Sequence, residues 1–393
     1  MKYKRIFLII CDSLGIGNAK DACKFHDDGA NTLKHICTTC DGLDVPNLEK
    51  LGLGSLGEFQ GISNLSSQLG YSLILNELSN SKDTLTGHLE MMGLQTNKPL
   101  ITFTNTGFPD ELIKLFEEKT GRKCVGNKAA SGTAIIDEYG EHQIKSGDWI
   151  IYTSGDSVLQ IAANEEVIPL QELYDACLIA RELTMDDRWK VGRVIARPYI
   201  GKKAGEFKRT SNRHDYSLLP SGKTVLDSLK DHRLDVIGVG KIYDIFAGQG
   251  ITKMVSSLCN EDGMTKTMEI AQTDFTGLCF VNLVDFDAIY GHRRNPEGYA
   301  RAIQEFDKQL GELIKLLQPN DLLMISADHG NDPTYSGTDH TRENVPLLIY
   351  SKDLLCPTKL CDMDTFATIG ATIADNFEVP LPKIGISILN KIK

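Results

Sequence analysis

The sequence predicts an α/β protein, a core sheet flanked by helices with a smaller α/β domain inserted into it. Three observations predict this. Short apolar, β-branched runs recur, each closed at its carboxyl end by a polar residue, as expected of strands buried on both faces. Helical stripes lie between them. The strand-then-acid pattern stops from about Lys98 to Leu218 and resumes afterwards.

In chain order, the buried parallel strands are Ile6–Cys11 before Asp12, Asp235–Gly238 before Gly240-Lys241, Cys279–Val284 before Asp285, and Leu322–Ala327 before Asp328-His329, with Val345–Tyr350 as another. Asn295-Pro296 opens the clearest helix, a cap followed by proline in the first turn. Its apolar stripe is Ile303, Phe306, Leu310, Leu313, Ile314 and Leu317. In the middle segment Pro109 opens a helix over Glu111–Thr120 and Gly121 closes it. The expected domains are therefore a discontinuous core, 1–97 with 219–393, and an insertion, 98–218, with hinges at Pro99 and Leu219-Pro220-Ser221-Gly222.

Composition narrows the class. A chain of 393 residues exceeds one ordinary domain. Hydrophobic residues at 41% and charged residues at 24% are those of a globular protein. A formal charge of −11 disfavours nucleic acid and anionic membranes as partners. No apolar run approaches the ~18 residues of a membrane span. The N-terminal run breaks at Asp12 with no small-residue cleavage site behind it, so it reads as a strand rather than a signal peptide. The 10 cysteines show no framework spacing, which fits a reducing cytoplasm. Cys37-Thr-Thr-Cys40 has no second pair and reads as structural.

The placement of acids carries the chemistry. Open α/β sheets bind ligands beyond the carboxyl ends of their strands, and Asp12, Asp285, Asp287, Asp328 and His329 all fall at such ends. Four clusters stand out: Asp12-Ser13-Leu14-Gly15-Ile16-Gly17; Lys82-Asp83-Thr84-Leu85-Thr86-Gly87-His88; Asp285-Phe286-Asp287 with Gly291-His292; and Asp328-His329-Gly330-Asn331-Asp332 followed by Gly337-Thr338-Asp339-His340-Thr341. Buried carboxylates are costly without counter-charge, and carboxylate beside imidazole suits divalent metals. Two metals could stabilise both the attacking and leaving oxygens of phosphoryl transfer. A hydroxyl activated by a metal is then the expected nucleophile. The residues alone do not choose between Thr84 and Thr86.

Taken together, DSxGIG at Asp12, KDTxTGH, the VDFDxxxGHRR run at Val284–Arg294 and ADHGNDP…GTDHTRE at Ala327–Glu343 resemble the bacterial phosphopentomutase family of the alkaline-phosphatase superfamily. The resemblance spans nearly the whole chain, including Val191–Pro198 and Asn212–Tyr216. It implies an isomerase that interconverts ribose 1-phosphate and ribose 5-phosphate, and their deoxyribose counterparts, through a phosphothreonine at Thr84. It implies Asp12, Thr84, Asp328 and His329 around one cation, and Asp287, His292 and His340 around the other. Asp285 and Asp339 would be neighbours. The implied metal is Mn²⁺, with Mg²⁺ as the alternative, and a sugar bisphosphate such as glucose 1,6-bisphosphate would be the activator. Leu89 stands where relatives are expected to carry Trp.

The segment from Lys190 to Arg213 holds eight Lys or Arg and one acid, Glu206. Arginine grips phosphate bidentately, so a small phosphate is a better partner for it than nucleic acid. By the resemblance, Arg193, Arg209 and Lys241 would hold the substrate's distal phosphate, while Ser154 and Asp156 would line the sugar site. The rivals are a phosphatase of the same superfamily, a sulfatase, a phosphoglycerate mutase and a non-enzymatic metal-binding module. The partners expected are small sugar phosphates in the cytoplasm, in pentose and nucleoside catabolism. The sequence leaves the oligomeric state open, a monomer being one possibility.

Overall fold

The computed structural model describes residues 1–155 and 157–392. In chain order its strands are β1 (Arg5–Cys11), β2 (Tyr71–Leu75), β3 (Cys124–Ala129), β4 (Trp149–Thr153), β5 (Val158–Asn164), β6 (Arg193–Ile200), β7 (Lys208–Arg209), β8 (His214–Ser217), β9 (Asp235–Val239), β10 (Lys253–Val255), β11 (Gly277–Leu283), β12 (Asp321–Ser326) and β13 (Val345–Tyr350). The chain forms two compact units, Met1–Lys98 with Pro220–Lys393, and Pro99–Leu219.

The first unit is built on a seven-stranded sheet in the order β10-β9-β11-β1-β12-β13-β2. Every residue of β1, β11 and β12 is buried, which explains why their sequences are continuous apolar runs rather than alternating ones. β1 pairs in parallel with β11 on one side and β12 on the other. At its start, Arg5 forks onto Asp321 of β12 at 2.7 and 2.6 Å. This buried bidentate pair fixes the register between two strands far apart in sequence. The Pro296–Leu316 helix, capped by the Asn295 side chain on Gly298 N at 2.9 Å, buries Ile303, Phe306, Leu310 and Leu313 against this core.

One expectation is corrected. Val345–Tyr350 is a strand, but it runs antiparallel to both of its neighbours, β12 and β2. The chain between Ser326 and Val345 contains no helix, and a parallel return requires a crossover of a dozen or more residues, usually helical.

The second unit has its own six-stranded mixed sheet, β3-β4-β5-β6-β7 with β8 also on β6. Its helices are Asp110–Thr120, Gly132–Ser146 and Leu170–Leu183. A separate core gathers around Trp149, Ile151, Leu159 and Ile161.

Candidate active site

Strand direction explains how residues distant in sequence meet. β1, β11 and β12 are parallel, so Asp12, Asp285 and Asp328, just beyond them, share one sheet edge. β2 is antiparallel to β13, which is antiparallel to β12, so β2 also points to that edge and the chain after it leads to Thr84. β13 runs the other way and so delivers the residues before it, His340 to Glu343, to the same edge.

Thr84 is the first residue of the Thr84–Met91 helix. Its hydroxyl lies 3.0 Å from His329 Nε2. The two candidate hydroxyls are thereby separated. Thr86 is buried, and its hydroxyl donates to the capping residue Asp83 at 2.9 Å. The helix approaches the end of β12 closely because residue 87 is glycine: a Cβ there would stand 2.2 Å from the Asp328 carbonyl oxygen.

Around Thr84, His329 Nε2 lies 3.4 Å from Asp12 Oδ1 and 3.5 Å from Asp328 Oδ2. The other oxygen of each carboxylate is fixed from behind. Asn282 donates to Asp12 Oδ2 at 2.9 Å, and the Ser13 amide donates to Asp328 Oδ1 at 3.0 Å. Such outer partners orient metal ligands. Ser13 adopts φ of 71°, unusual for a residue with a side chain, and its hydroxyl meets Tyr299 Oη at 3.0 Å.

The second group forms around a single π-helical turn, Phe286–Gly291. His292 N donates to the Asp287 carbonyl at 3.0 Å. This i to i+5 winding places His292 beside Asp287, with His292 Nε2 3.1 Å from Asp287 Oδ2. His340 Nε2 lies 3.4 Å from Asp287 Oδ1 and 3.1 Å from His292 Nε2. The His340 ring lies over that of His329, with centroids 4.0 Å apart, which joins the two groups. Asp285 faces elsewhere and accepts from Asn260 N at 2.8 Å. Asp339 caps the His340 amide at 2.9 Å and reaches Lys82 at 3.4 Å.

Electrostatics fit a cation. Burial raises the Asp12 carboxyl above its ordinary value, and Asp328 raises it further. Burial opposes ionisation of Asp328, but His329 and His88 outweigh it and hold that carboxyl low. Burial likewise disfavours imidazolium at His329, yet Asp328 and Asp12 hold it well above the usual range. At Asp287, burial is overcome by His340 and His292. Asp12 Oδ1 and Asp328 Oδ2 are buried and accept no hydrogen bond among the described residues. Two triads, Asp12/Asp328/His329 and Asp287/His329/His340, each hold ligand-capable atoms within 4.8 Å of one another. Oxygen and imidazole donors so arranged fit divalent cations.

Several contributors lie within the motifs but receive no role from the sequence. His88 is fully buried, with Nδ1 3.2 Å from Asp328 Oδ2 and 2.9 Å from the Thr84 carbonyl. Its signal was its place one helical turn after Thr84. Arg342 is 2% exposed. It bonds the Ser81 carbonyl and the Glu77 carboxylate, reaches the Glu77 carbonyl at 2.8 Å and forks onto Asp21 at 3.0 and 3.1 Å. Asp27 accepts from the Arg342 amide at 2.8 Å and pairs with Lys82 at 3.0 Å. These contacts brace the loop leading into Thr84.

Of the expected substrate residues, Lys241 is exposed just after β9 in the first unit. The rest lie in the second unit. Ser154 follows β4, and its carbonyl accepts from Thr104 at 2.9 Å. Asp156 lies outside the described residues. Arg193, at the start of β6, reaches Asp215 at 3.7 Å. Arg209 pairs across from Tyr199 at the far end of β6, beside Arg197 and Arg213 rather than beside Arg193.

The metalloenzyme superfamily model matches residues 4–381. A phosphopentomutase of Clostridium perfringens (strain 13 / Type A) is 58% identical over 393 residues, covering 100% of this chain and 99% of that protein. One of Clostridium tetani is 57% identical, with the same coverage of both chains. The solved PH0037 protein from Pyrococcus horikoshii, at 14% identity and a TM-score of 0.51 over 98% of this chain and 100% of its own, is similar in fold.

Proposed function

Since the chain belongs to the phosphopentomutase family of the metalloenzyme superfamily, and is thus an isomerase, we propose that it moves a phosphoryl group between O1 and O5 of ribose and deoxyribose phosphates through a phosphothreonine at Thr84. The observation that carries this reading is the Thr84 hydroxyl, 3.0 Å from His329 inside a buried cluster of acids and imidazoles. Asp12, Thr84, Asp328 and His329 are the proposed ligands of one divalent cation, and Asp287, His292 and His340 those of a second, with Mn²⁺ favoured over Mg²⁺. When bound, such cations neutralise charge on the transferring group and ease deprotonation of a hydroxyl.

The cycle starts from phosphorylated Thr84. The free hydroxyl of a pentose monophosphate attacks phosphorus, the bond from phosphorus to Thr84 Oγ1 breaks, and the hydroxyl proton ends on Oγ1. The resulting bisphosphate presents its other phosphate. Thr84 Oγ1 attacks that phosphorus, the sugar–oxygen bond to phosphorus breaks, and the proton returns to the sugar. Glucose 1,6-bisphosphate, by the same exchange, is the proposed activator of unphosphorylated chains. His88 Nδ1 bonds the Thr84 carbonyl and so steadies the turn that carries the nucleophile, 3.2 Å from Asp328 Oδ2.

Arg193 and Arg209 are the proposed phosphate ligands of the second unit, with Ser154 and Asp156 toward the sugar. Lys241 is proposed as a further phosphate ligand in the first unit. The described residues contain no helix long and apolar enough to cross a membrane. A cytoplasmic place in pentose and nucleoside catabolism, with small-molecule partners only, completes the proposal. Incubation with ribose 1-phosphate should yield ribose 5-phosphate in large excess over free phosphate. Equal or greater release of free phosphate would make the chain a phosphatase instead.

A further inference from the structure

Arg294 has no part in the chemistry above, yet its backbone and side chain are both unusual. Its φ is 51°, in the left-handed region where residues with side chains are strained. It lies directly after the turn that carries Asp287 and His292. Strained backbone of this kind persists where its surroundings hold it. Here the surroundings are five acceptors gathered around one guanidinium. Nε donates to the Gly337 carbonyl. Nη1 reaches the Gly291 carbonyl at 3.1 Å, the Asn331 side-chain oxygen at 2.6 Å and the Asp332 carbonyl at 2.9 Å. Nη2 donates to the Asp339 carbonyl at 3.1 Å. All five acceptors are neutral, so these bonds organise the chain rather than pair an acid.

From these contacts three paths lead into the second group of acids and imidazoles. Guanidinium nitrogens only donate. The Asn331 amide must therefore turn its oxygen to Arg294 and its Nδ2 to Asp287 Oδ1, 2.7 Å away. Asn331 packs closely here because residue 291 is glycine: a Cβ there would stand 2.8 Å from Asn331 Nδ2. The carbonyls of Gly337 and Asp339 flank Thr338, whose own carbonyl lies 2.7 Å from His292 Nδ1. A carbonyl only accepts, so Nδ1 holds the hydrogen and Nε2 faces Asp287 and His340. Asp339 precedes His340 and caps its amide. The stretch 336–339 is exposed, so packing alone does not fix it.

We propose that Arg294 is the positioning residue of the second cation site. Through Asn331 it aims Asp287, through the carbonyls beside Thr338 it fixes the ring of His292, and through Asp339 it sets where His340 enters. None of its five contacts reaches Asp12, Thr84, Asp328 or His329, so the first cation site does not depend on it. This role rests on the two-cation reading above and adds a residue that neither proposed ligand set contains.

The test is titration of the full-length, chelator-treated protein with Mn²⁺, followed by the electron paramagnetic resonance signal of the free ion, in wild type, Arg294→Lys and Arg294→Met. Lysine keeps the charge but cannot fork onto several acceptors; methionine keeps only the stem. Wild type should take up two cations. In both variants one should bind as before and the other roughly 10–100-fold more weakly, the usual loss when an outer partner of a metal ligand is removed. Turnover at limiting Mn²⁺ should fall and should recover at saturating Mn²⁺, with the KM for ribose 5-phosphate unchanged. Adding Arg294→Lys to Asp287→Asn locates the effect: the cation that still binds should keep the affinity it has in Asp287→Asn alone. A merely structural arginine would lower the melting temperature of the metal-free protein and weaken both cations together, which overturns the proposal, as does unchanged binding of both. Fewer than two cations on the wild type would sink the two-cation reading and this role with it. Two on the wild type, both weakened alike in the variants, would sink the role of Arg294 alone.

Discussion

Replacing Arg342 with Met should destabilise the first unit through one identifiable carboxylate. The Arg342 and Glu77 side chains are each 1% exposed, and Arg342 also holds the Ser81 carbonyl and Asp21. Methionine fills similar space but removes the charge. Glu77 is then a buried carboxylate without its cation, and breaking a buried pair this way costs about 3–5 kcal/mol. In a unit this large, each 1 kcal/mol lowers the melting temperature by roughly 2–4 °C, so a drop of about 6–20 °C is expected. The double variant Arg342→Met/Glu77→Gln should recover much of it, because no buried charge remains. The pH dependence has a definite sign. Burial already raises the Glu77 carboxyl well above its ordinary value, with Arg342 opposing. Without Arg342 the folded state holds the proton still more tightly than the unfolded chain. Stability is then fully present below the unfolded value and falls as pH rises through the folded one, so the deficit should be larger at pH 8 than at pH 5.5. Thermal unfolding of wild type, single and double variants at both pH values is the assay. A single variant less than about 1 kcal/mol worse than wild type, or a double variant no better than the single, would refute the reasoning.

Other outcomes follow from the same geometry. Thr84→Val should abolish isomerisation and any phosphoryl label on the chain, whereas Thr86→Val should keep the label and lose about 1 kcal/mol of stability with its bond to Asp83; a label that persists in Thr84→Val, checked by phosphopeptide mapping, would reassign the nucleophile. Gly87→Ala should cost about 1–3 kcal/mol by forcing the helix away from Asp328 and should weaken Mn²⁺ binding, read by elemental analysis after dialysis. Chelation should lower the melting temperature of wild type, since a cation at about 100 times its Kd adds about 2.7 kcal/mol; in Asp328→Asn the same treatment should lower it less, because only the cation at Asp287, His292 and His340 is left to remove.

Much of this arrangement is legible in sequence, for reasons that differ by element. β1, β11 and β12 are read from composition because strands buried on both faces tolerate only apolar residues, and their acids are read from the strand ends. The Asp287/His292 pair is visible as a spacing of five, but that spacing means adjacency only through a π turn, which no local pattern announces. The direction of β13 depends on what is missing between Ser326 and Val345, and an absent helix is a weak signal beside a clear apolar run. Arg342 is hidden for another reason: an arginine amid polar residues reads as surface, and only the convergence of Glu77, Ser81 and Asp21 reveals it as interior. Tyr152 ends a buried strand pattern and looks like ordinary core until its hydroxyl is found unpartnered.

The pairing of β1 with β12 also sets a timetable. Arg5 and Asp321 are 316 positions apart, and at ribosomal rates of about 5–20 residues per second roughly 15–60 s separate their synthesis. The Pro99–Leu219 unit is continuous in sequence, with its own sheet and core, so it can complete its folding while β1 still waits for a neighbour. In the first unit, by contrast, Asp12 and Asp287 share an edge only once β11 pairs with β1, Asp328 and His329 join it when β12 emerges, and the imidazole of His340 follows later still. A newborn chain therefore has a finished insertion well before it has anywhere to hold a metal, and cation capture belongs to the last moments of its synthesis or after it.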